Sequence, residues 1–366
     1  MNVADAAATT ATGGQRGEVV LDVEDLHVSF PTDDGLVNAV RGVSYQLRRG
    51  EALGIVGESG SGKSVTSSAI MGLLPKTAQI TGSVKLMEQQ MLGLNDAEIS
   101  PIRGSKISMI FQDPLTSLNP VYTIGFQLAE AILVHHKDVT KKEARVRSID
   151  LLETVGIPNP EQRVDAYPHE LSGGMRQRVV IAISMANNPD VIIADEPTTA
   201  LDVTVQAQVL EALEAARKEV NAAMVLITHD LGVIAGHTDR VLVMYAGKPV
   251  EVGTVDDIFY RPHMPYSLGL VGSLPRMDQA RGHRLTPVQG TPPSMLNMPS
   301  GCPFVPRCPL AQDICREIEP DLVQVGDGHV SACHFSEKLE GKSPQEIFNP
   351  GALDDLEDDF TAEGEV

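Results

Sequence analysis

An α/β fold with a mostly parallel sheet, organised around a phosphate-binding loop, is what this sequence predicts. Three observations carry that prediction. Gly57, Glu58, Ser59, Gly60, Ser61, Gly62, Lys63 and Ser64 spell G-x-x-x-x-G-K-S/T, the pattern that wraps nucleotide phosphates. Short apolar runs at 52–56, 191–194 and 224–227 alternate with helical stretches. Two of those runs end in ionisable residues, Asp195-Glu196 and His229-Asp230, at strand carboxyl ends, where such sheets hold their ligands.

The elements follow in chain order. Residues 1–17, rich in Ala, Thr and Gly, lack a basic and apolar signal pattern and read as a disordered lead-in. Residues 19–30 and 37–47 read as strands parted by the turn-rich 31–35. Phe30 fits two roles, stacking on an adenine ring or packing in the core. The buried strand at 52–56 feeds the phosphate loop, whose glycines let successive N–H groups turn inward onto an anion. The helix expected over 65–74 adds its positive dipole end, Lys63 is placed for the β and γ phosphates, and the Ser64 hydroxyl for Mg²⁺. Short strands are expected at 82–86 and 106–111, the second closed by Gln112-Asp113-Pro114.

From 115 to 168 the pattern turns helical, with amphipathic stretches at 124–134 and 141–155. Lys141, Lys142, Glu143, Arg145 and Arg147 are most simply the solvated face of this insert. Ser172, Gly173 and Gly174 then open a helix running to about 187, a second anion-binding helix start. A further helix is expected at 205–220.

Composition narrows the function classes. With 366 residues the chain holds two or more domains, and no apolar run approaches the ~18 residues of a membrane span. The net charge of −20 argues against nucleic acid as a partner, because phosphate binding by charge needs a basic surface. Part of that charge is local: residues 349–366 hold seven acids and no Lys or Arg, a mobile tail that is either an interaction segment or a solubilising end. All four cysteines fall between Cys302 and Cys333, so the first 301 residues fold without a disulfide, as in a reducing cytosol.

Taken together, the motifs resemble those of the ATP-binding subunits of ABC transporters over residues 21–253. Gly57 to Val65 is similar to the Walker A loop and helix start, Gln112 to the Q-loop glutamine, and Leu171-Ser172-Gly173-Gly174-Met175 to the signature motif. Residues 192–195 are similar to the Walker B strand, Glu196 to the general base, Ala200-Leu201-Asp202 to the D-loop and His229 to the switch histidine. The resemblance implies a P-loop NTPase core, an antiparallel β subdomain and a helical subdomain at about 115–188. It also implies ATP and Mg²⁺ as cofactors, the ion held by Ser64, Gln112 and Asp195, and an ATP site completed by Ser172, Gly173 and Gly174 of a second subunit.

Finer wording, Phe111-Gln112-Asp113-Pro114-Leu115-Thr116-Ser117-Leu118-Asn119-Pro120 and Tyr167-Pro168-His169-Glu170, is similar to the ATPases of dipeptide and oligopeptide importers, some of whose relatives carry nickel. Met175 departs from the Gln of most signature motifs but is similar to what peptide-importer ATPases carry. The implied assembly is a heterodimer with a related ATPase, a homodimer being the alternative, with two transmembrane permeases that carry the pore and an external solute-binding protein, and with this chain on the cytoplasmic membrane face. Soluble ABC ATPases that act on ribosomes or DNA usually carry tandem cassettes or long coiled coils, whereas this chain has one Walker A loop and no sustained heptads.

After residue 252 the chain becomes rich in Pro and Gly, and Cys302, Cys308, Cys315 and Cys333 are separated by 5, 6 and 17 residues. Those spacings match neither the usual zinc pairs nor the ferredoxin runs. Peptide-importer ATPases carry a similar C-terminal Cys arrangement, which implies a 4Fe-4S site; zinc, free thiols and disulfides are the alternatives. The expected division is thus a lead-in at 1–17, an ATPase domain at 18–253, a Cys-bearing C-terminal domain at 254–337 and an acidic flexible tail at 338–366.

Overall fold

The computed structural model describes residues 17–199, 201–274 and 287–349. The acids of the expected tail at 354–365, most of the lead-in and Ala200 lie outside the described residues.

Two sheets organise the chain. In the first, β1 (Val19–Thr32) and β2 (Gly35–Arg48) form a long antiparallel hairpin. The expected five-residue turn shrinks to Asp33-Asp34, since Thr32 pairs with Gly35 and Pro31 lies inside the strand opposite Leu36. Pro31 is tolerated there because β4 (Gln79–Leu86), on the other side of β1, pairs only as far as Ser29, so no neighbour needs the missing N–H. The two-residue β5 (Gln89–Gln90) completes the order β2-β1-β4-β5.

The second sheet has eight strands. β3 (Ala52–Val56), β6 (Ile107–Ile110), β7 (Val191–Asp195), β8 (Ala223–Thr228) and β9 (Arg240–Tyr245) are its parallel part, in the order β9-β3-β8-β7-β6. These strands read as nearly unbroken apolar runs because both faces are covered. Alternate residues of β3 and β7 divide between two cores: Ala52, Val56, Ile192 and Ala194 face the helical side, while Leu53, Ile55, Val191 and Ile193 face the β1–β2 sheet. Each Val, Leu or Ile so buried contributes about 1.5–3 kcal/mol, so this layer stabilises both halves of the domain at once. Antiparallel β10 (Lys248–Thr254), β12 (His329–Ser331) and β11 (Val323–Gly326) extend the sheet beyond β9. These three, like β9, had no counterpart among the strands expected from sequence.

Helix α1 (Lys63–Ile70) stops earlier than residue 74, because Gly72 takes φ +62° and the Met71 N–H closes the last turn on Ser67 and Ala69. The helical insert contains α2 (Ile124–His135), α3 (Lys141–Thr154) and α4 (Gly173–Met185). α3 starts at a reciprocal Thr140–Glu143 capping box, so Glu143 is a capping residue rather than only part of a solvated face. α5 (Val203–Val220) follows β7 and begins on the Asp202 side chain. The C-terminal region adds α6 (Val255–Tyr260), α7 (Pro265–Gly272) and α8 (Pro344–Phe348). Leu339 and Ile347 are buried with Leu268 of α7, so residues 338–349 are folded, in contrast to a flexible tail starting at 338. An apolar anchor and a Ser343–Glu346 capping box account for that difference.

Candidate nucleotide site

The phosphate loop leaves the carboxyl end of β3 and turns into α1. Gly57 (φ +156°) and Gly62 (φ +99°) are required by crowding as well as by backbone: a Cβ on Gly62 would come within 2.5 Å of the Ala39 carbonyl oxygen, and one on Gly57 would strike the Met244 carbonyl. Ser59 and Gly60 are exposed at the tip, and Val65 is half-buried against the core. The Ser61 hydroxyl is buried without a hydrogen-bond partner, an unspent donor inside the loop. Lys63 is also buried, and its Nζ donates to the carbonyls of Gly57 (2.7 Å) and Glu58 (3.0 Å). Burial lowers the Lys63 pKa, against the pull of the Glu196, Asp195 and Glu58 carboxylates.

Three strand ends bring the remaining groups together. Ser64 Oγ donates to Asp195 Oδ1 at 3.0 Å, joining α1 to the end of β7. Burial raises the Asp195 pKa, partly offset by that bond, and the neighbouring Glu196 pushes it up again. Glu196 adopts a left-handed backbone, φ +48°, held by its N–H donating to Ile227 O at 2.8 Å. A side chain this large pays roughly 1–2 kcal/mol for that conformation, a strain characteristic of functional sites. Its carboxylate collects three neighbours: Gln112 Nε2 donates to Oε2 at 3.0 Å, Thr199 Oγ1 donates to Oε2 at 2.9 Å, and His229 Nδ1 lies 3.3 Å from Oε1. Gln112, Asp195, Glu196 and His229, separated by up to 117 positions, are therefore gathered beside Lys63 and Ser64.

Other residues singled out from sequence sit elsewhere. Ser172 caps α4, accepting from Met175 N at 3.3 Å; Gly173 lies against Leu201, and a Cβ on Gly174 would strike Val205. Among the described residues no hydrogen bond or ion pair joins Ser172, Gly173 or Gly174 to the phosphate loop. Phe30 is half-buried and packs against the core between the sheets.

Sequence reading missed Thr199, the second donor to Glu196, and Arg307, whose Nη1 and Nη2 each lie 2.8 Å from a carboxylate oxygen of Glu58. The Thr-Thr following Asp195-Glu196-Pro197 was a local signal for the first. Nothing local pointed to Arg307, 249 positions away from its partner.

Cys302, Cys308, Cys315 and Cys333 line one small pocket with Phe304, Pro320 and other mostly apolar neighbours. All four are free thiols, which removes the disulfide alternative from this structure. Burial pushes the Cys302 thiol up, Cys308 up to about 11 and Cys333 up to about 12. Among the described residues no three His, Cys, Asp or Glu side chains converge as a ready single-ion site. The four cysteines share the lining of that pocket, a soft donor set of the number a 4Fe-4S cluster takes.

Comparison with known proteins adds independent information. The ABC transporter family profile matches residues 40–199, and the profile described as "Oligopeptide/dipeptide transporter, C-terminal region" matches 250–315. The oligopeptide transport ATP-binding protein OppD of Mycobacterium tuberculosis is 53% identical over 342 residues, covering 92% of this chain and 56% of that protein. This chain thus spans little more than half the length of that relative. The dipeptide transport ATP-binding protein DppD of Bacillus subtilis is 52% identical over 323 residues, 88% of this chain and 96% of that protein. A solved dimeric ATP-binding cassette bound to ADP and phosphate superposes with a TM-score of 0.57 at 26% identity, covering 64% of this chain and 98% of that one.

Proposed function

Since the chain belongs to the ABC transporter ATP-binding family, in its oligopeptide and dipeptide importer branch, we propose that it hydrolyses ATP to power peptide uptake. The observation that carries this reading is the Glu196 carboxylate, with Gln112, Thr199 and His229 around it, next to the Ser64–Asp195 pair. Lys63, the inward N–H groups of the loop and the Ser61 hydroxyl bind the β and γ phosphates. Lys63 exchanges its loop carbonyls for phosphate oxygens when the triphosphate enters. Mg²⁺ would be held by Ser64, Gln112 and Asp195, which suits an ion that takes few protein ligands and completes its shell with water and phosphate. Glu196 orients and deprotonates the attacking water, and His229 contacts the γ-phosphate.

The site is half of a composite one. Ser172, Gly173 and Gly174, which lie apart from this chain's own loop, close over the ATP of a second, related ATPase subunit, whose signature motif closes over this one. Closure on ATP and reopening after hydrolysis then drive two permease subunits, with the chain on the cytoplasmic face of the membrane and peptide delivered by an external binding protein. No described helix is long and apolar enough to cross a membrane. We assign the ATPase domain to 18–253 and the C-terminal domain to 254–337, extended by the folded stretch 338–349.

Cys302, Cys308, Cys315 and Cys333 would hold a 4Fe-4S cluster, which when bound ties the loops that bear them into one unit. Anaerobic purification with iron and sulfide analysis tests this assignment: about four irons per chain support it, and one zinc overturns it. The function is tested by expressing the tagged chain in its source cells and purifying it from their membranes. Co-purification of two hydrophobic permeases, with ATPase activity stimulated by peptide-loaded binding protein, is expected; a chain that hydrolyses ATP but captures no permease refutes the transport role.

A further inference from the structure

We propose that Arg307 is a positioning residue of the ATP site, neutralising the Glu58 carboxylate so that the phosphate loop accepts a triphosphate. The proposal rests on the ATPase reading above and adds to it a contribution from the C-terminal region. Glu58 is the second residue of the loop, and an acid at that place opposes the anion the loop is built to bind. Its carboxylate contributes to the field at Lys63, whose Nζ is bonded to the Glu58 carbonyl.

Arg307 answers that charge with a bidentate fork, Nη1 and Nη2 each donating to a Glu58 oxygen at 2.8 Å. The Arg307 side chain is only 4% exposed and its remaining donors are placed: Nε donates to Gln289 O at 2.9 Å, and Nη2 also to Val288 O at 3.3 Å. Nη1 lies 3.4 Å from the Tyr245 hydroxyl, and the guanidinium carbon lies 5.8 Å from the centres of the Tyr245 and Phe304 rings. The backbone of Glu58 is held from the same side, its N–H donating to the Tyr266 hydroxyl at 2.8 Å. Tyr266 is fully buried and packs against Tyr245 and Phe304. The loop is thus fastened by side chain and main chain to residues beyond the ATPase core.

The partly buried setting weakens screening by water, so losing the guanidinium leaves an uncompensated Glu58 charge in the loop that receives the phosphates. Lysine would supply the charge without the two-point fork.

The test is titration of the purified full-length chain with Mg-ATP, read by calorimetry. Arg307→Met is expected to raise Kd on the order of tenfold, with the loss shrinking as salt is added. Adding Glu58→Gln to Arg307→Met should recover most of the affinity, because the repelling charge goes with the substitution. A clamp acting only by holding the loop's shape predicts the opposite, a double variant as weak as the single. Kd for Arg307→Met within about twofold of the original chain, or no recovery in the double variant, overturns the proposal. Should Arg307→Met fail to fold, Arg307→Lys carries the test: because the positive charge is kept, Kd for Mg-ATP is expected within about threefold of the original chain, and a tenfold rise overturns neutralisation in favour of a clamp acting by shape. An unaltered chain that binds no Mg-ATP would instead refute the ATPase reading itself.

Discussion

Replacing Glu196 by Gln separates the geometry of the site from its chemistry. Glu196 Oε2 receives two donors, Gln112 Nε2 and Thr199 Oγ1, whereas among the described residues Oε1 faces His229 Nδ1. A glutamine fits by placing its amide oxygen at the Oε2 position and turning its NH₂ toward Nδ1, which accepts in the tautomer protonated on Nε2. All three contacts survive, and Gln tolerates the left-handed backbone no worse than Glu does. The cost to folding is therefore under about 1 kcal/mol, while the proton acceptor is lost. Removal of a positioned general base lowers turnover by ~10²- to 10⁴-fold, or about 3–5 kcal/mol of barrier. Phosphate release at saturating Mg-ATP measures this, with ATP binding measured in parallel on the same preparation. Hydrolysis within about tenfold of the original chain, with ATP still bound, would remove Glu196 from the role assigned to it.

Two further predictions concern the C-terminal region. Glu251 is fully buried and accepts the N–H groups of His263 (2.6 Å) and Met264 (3.2 Å), with His329 Nε2 2.8 Å from Oε1. Glu251→Ala strands all three and should cost on the order of 3 kcal/mol in urea unfolding; an unchanged midpoint would refute this. The Asp257 pKa lies below its ordinary value: burial opposes this, but bonds from the Thr254 hydroxyl, Arg261 and the Thr254 N–H outweigh it. A depressed carboxylate stabilises the fold above its unfolded pKa and loses that contribution as acid protonates it. The stability gap between the original chain and Asp257→Asn should thus be full at neutral pH and close below roughly pH 4; a gap constant with pH would contradict this assignment.

The site was legible in sequence wherever a residue stood at the end of a periodic element. Asp195, Glu196 and His229 follow buried strands, and the phosphate loop lies between a strand and a helix, so local pattern placed each of them. Gln112 was read by motif alone, and no periodicity pointed to the bond its Nε2 donates to Glu196. Arg307 was out of reach, because its importance lies in a partner 249 positions away and its flanks are irregular Pro- and Cys-bearing chain. β11 and β12 were missed for a related reason: four and three residues long, they become strands only by pairing with β10 and each other. The folded stretch near 344–348 was legible in principle, since Ser343 and Glu346 show the S-x-x-E spacing of a helix start.

The run of β12 along β10 bears on how the chain can be divided. Glu251 and Val252 are matched to Ser331 and Val330, and Val252 and Val330 both belong to the core between the two sheets. A polypeptide cut after Gly253 would keep every motif of the ATPase domain yet bare a flank of apolar strand to any passing copy. Self-association of such a fragment would reflect an opened seam.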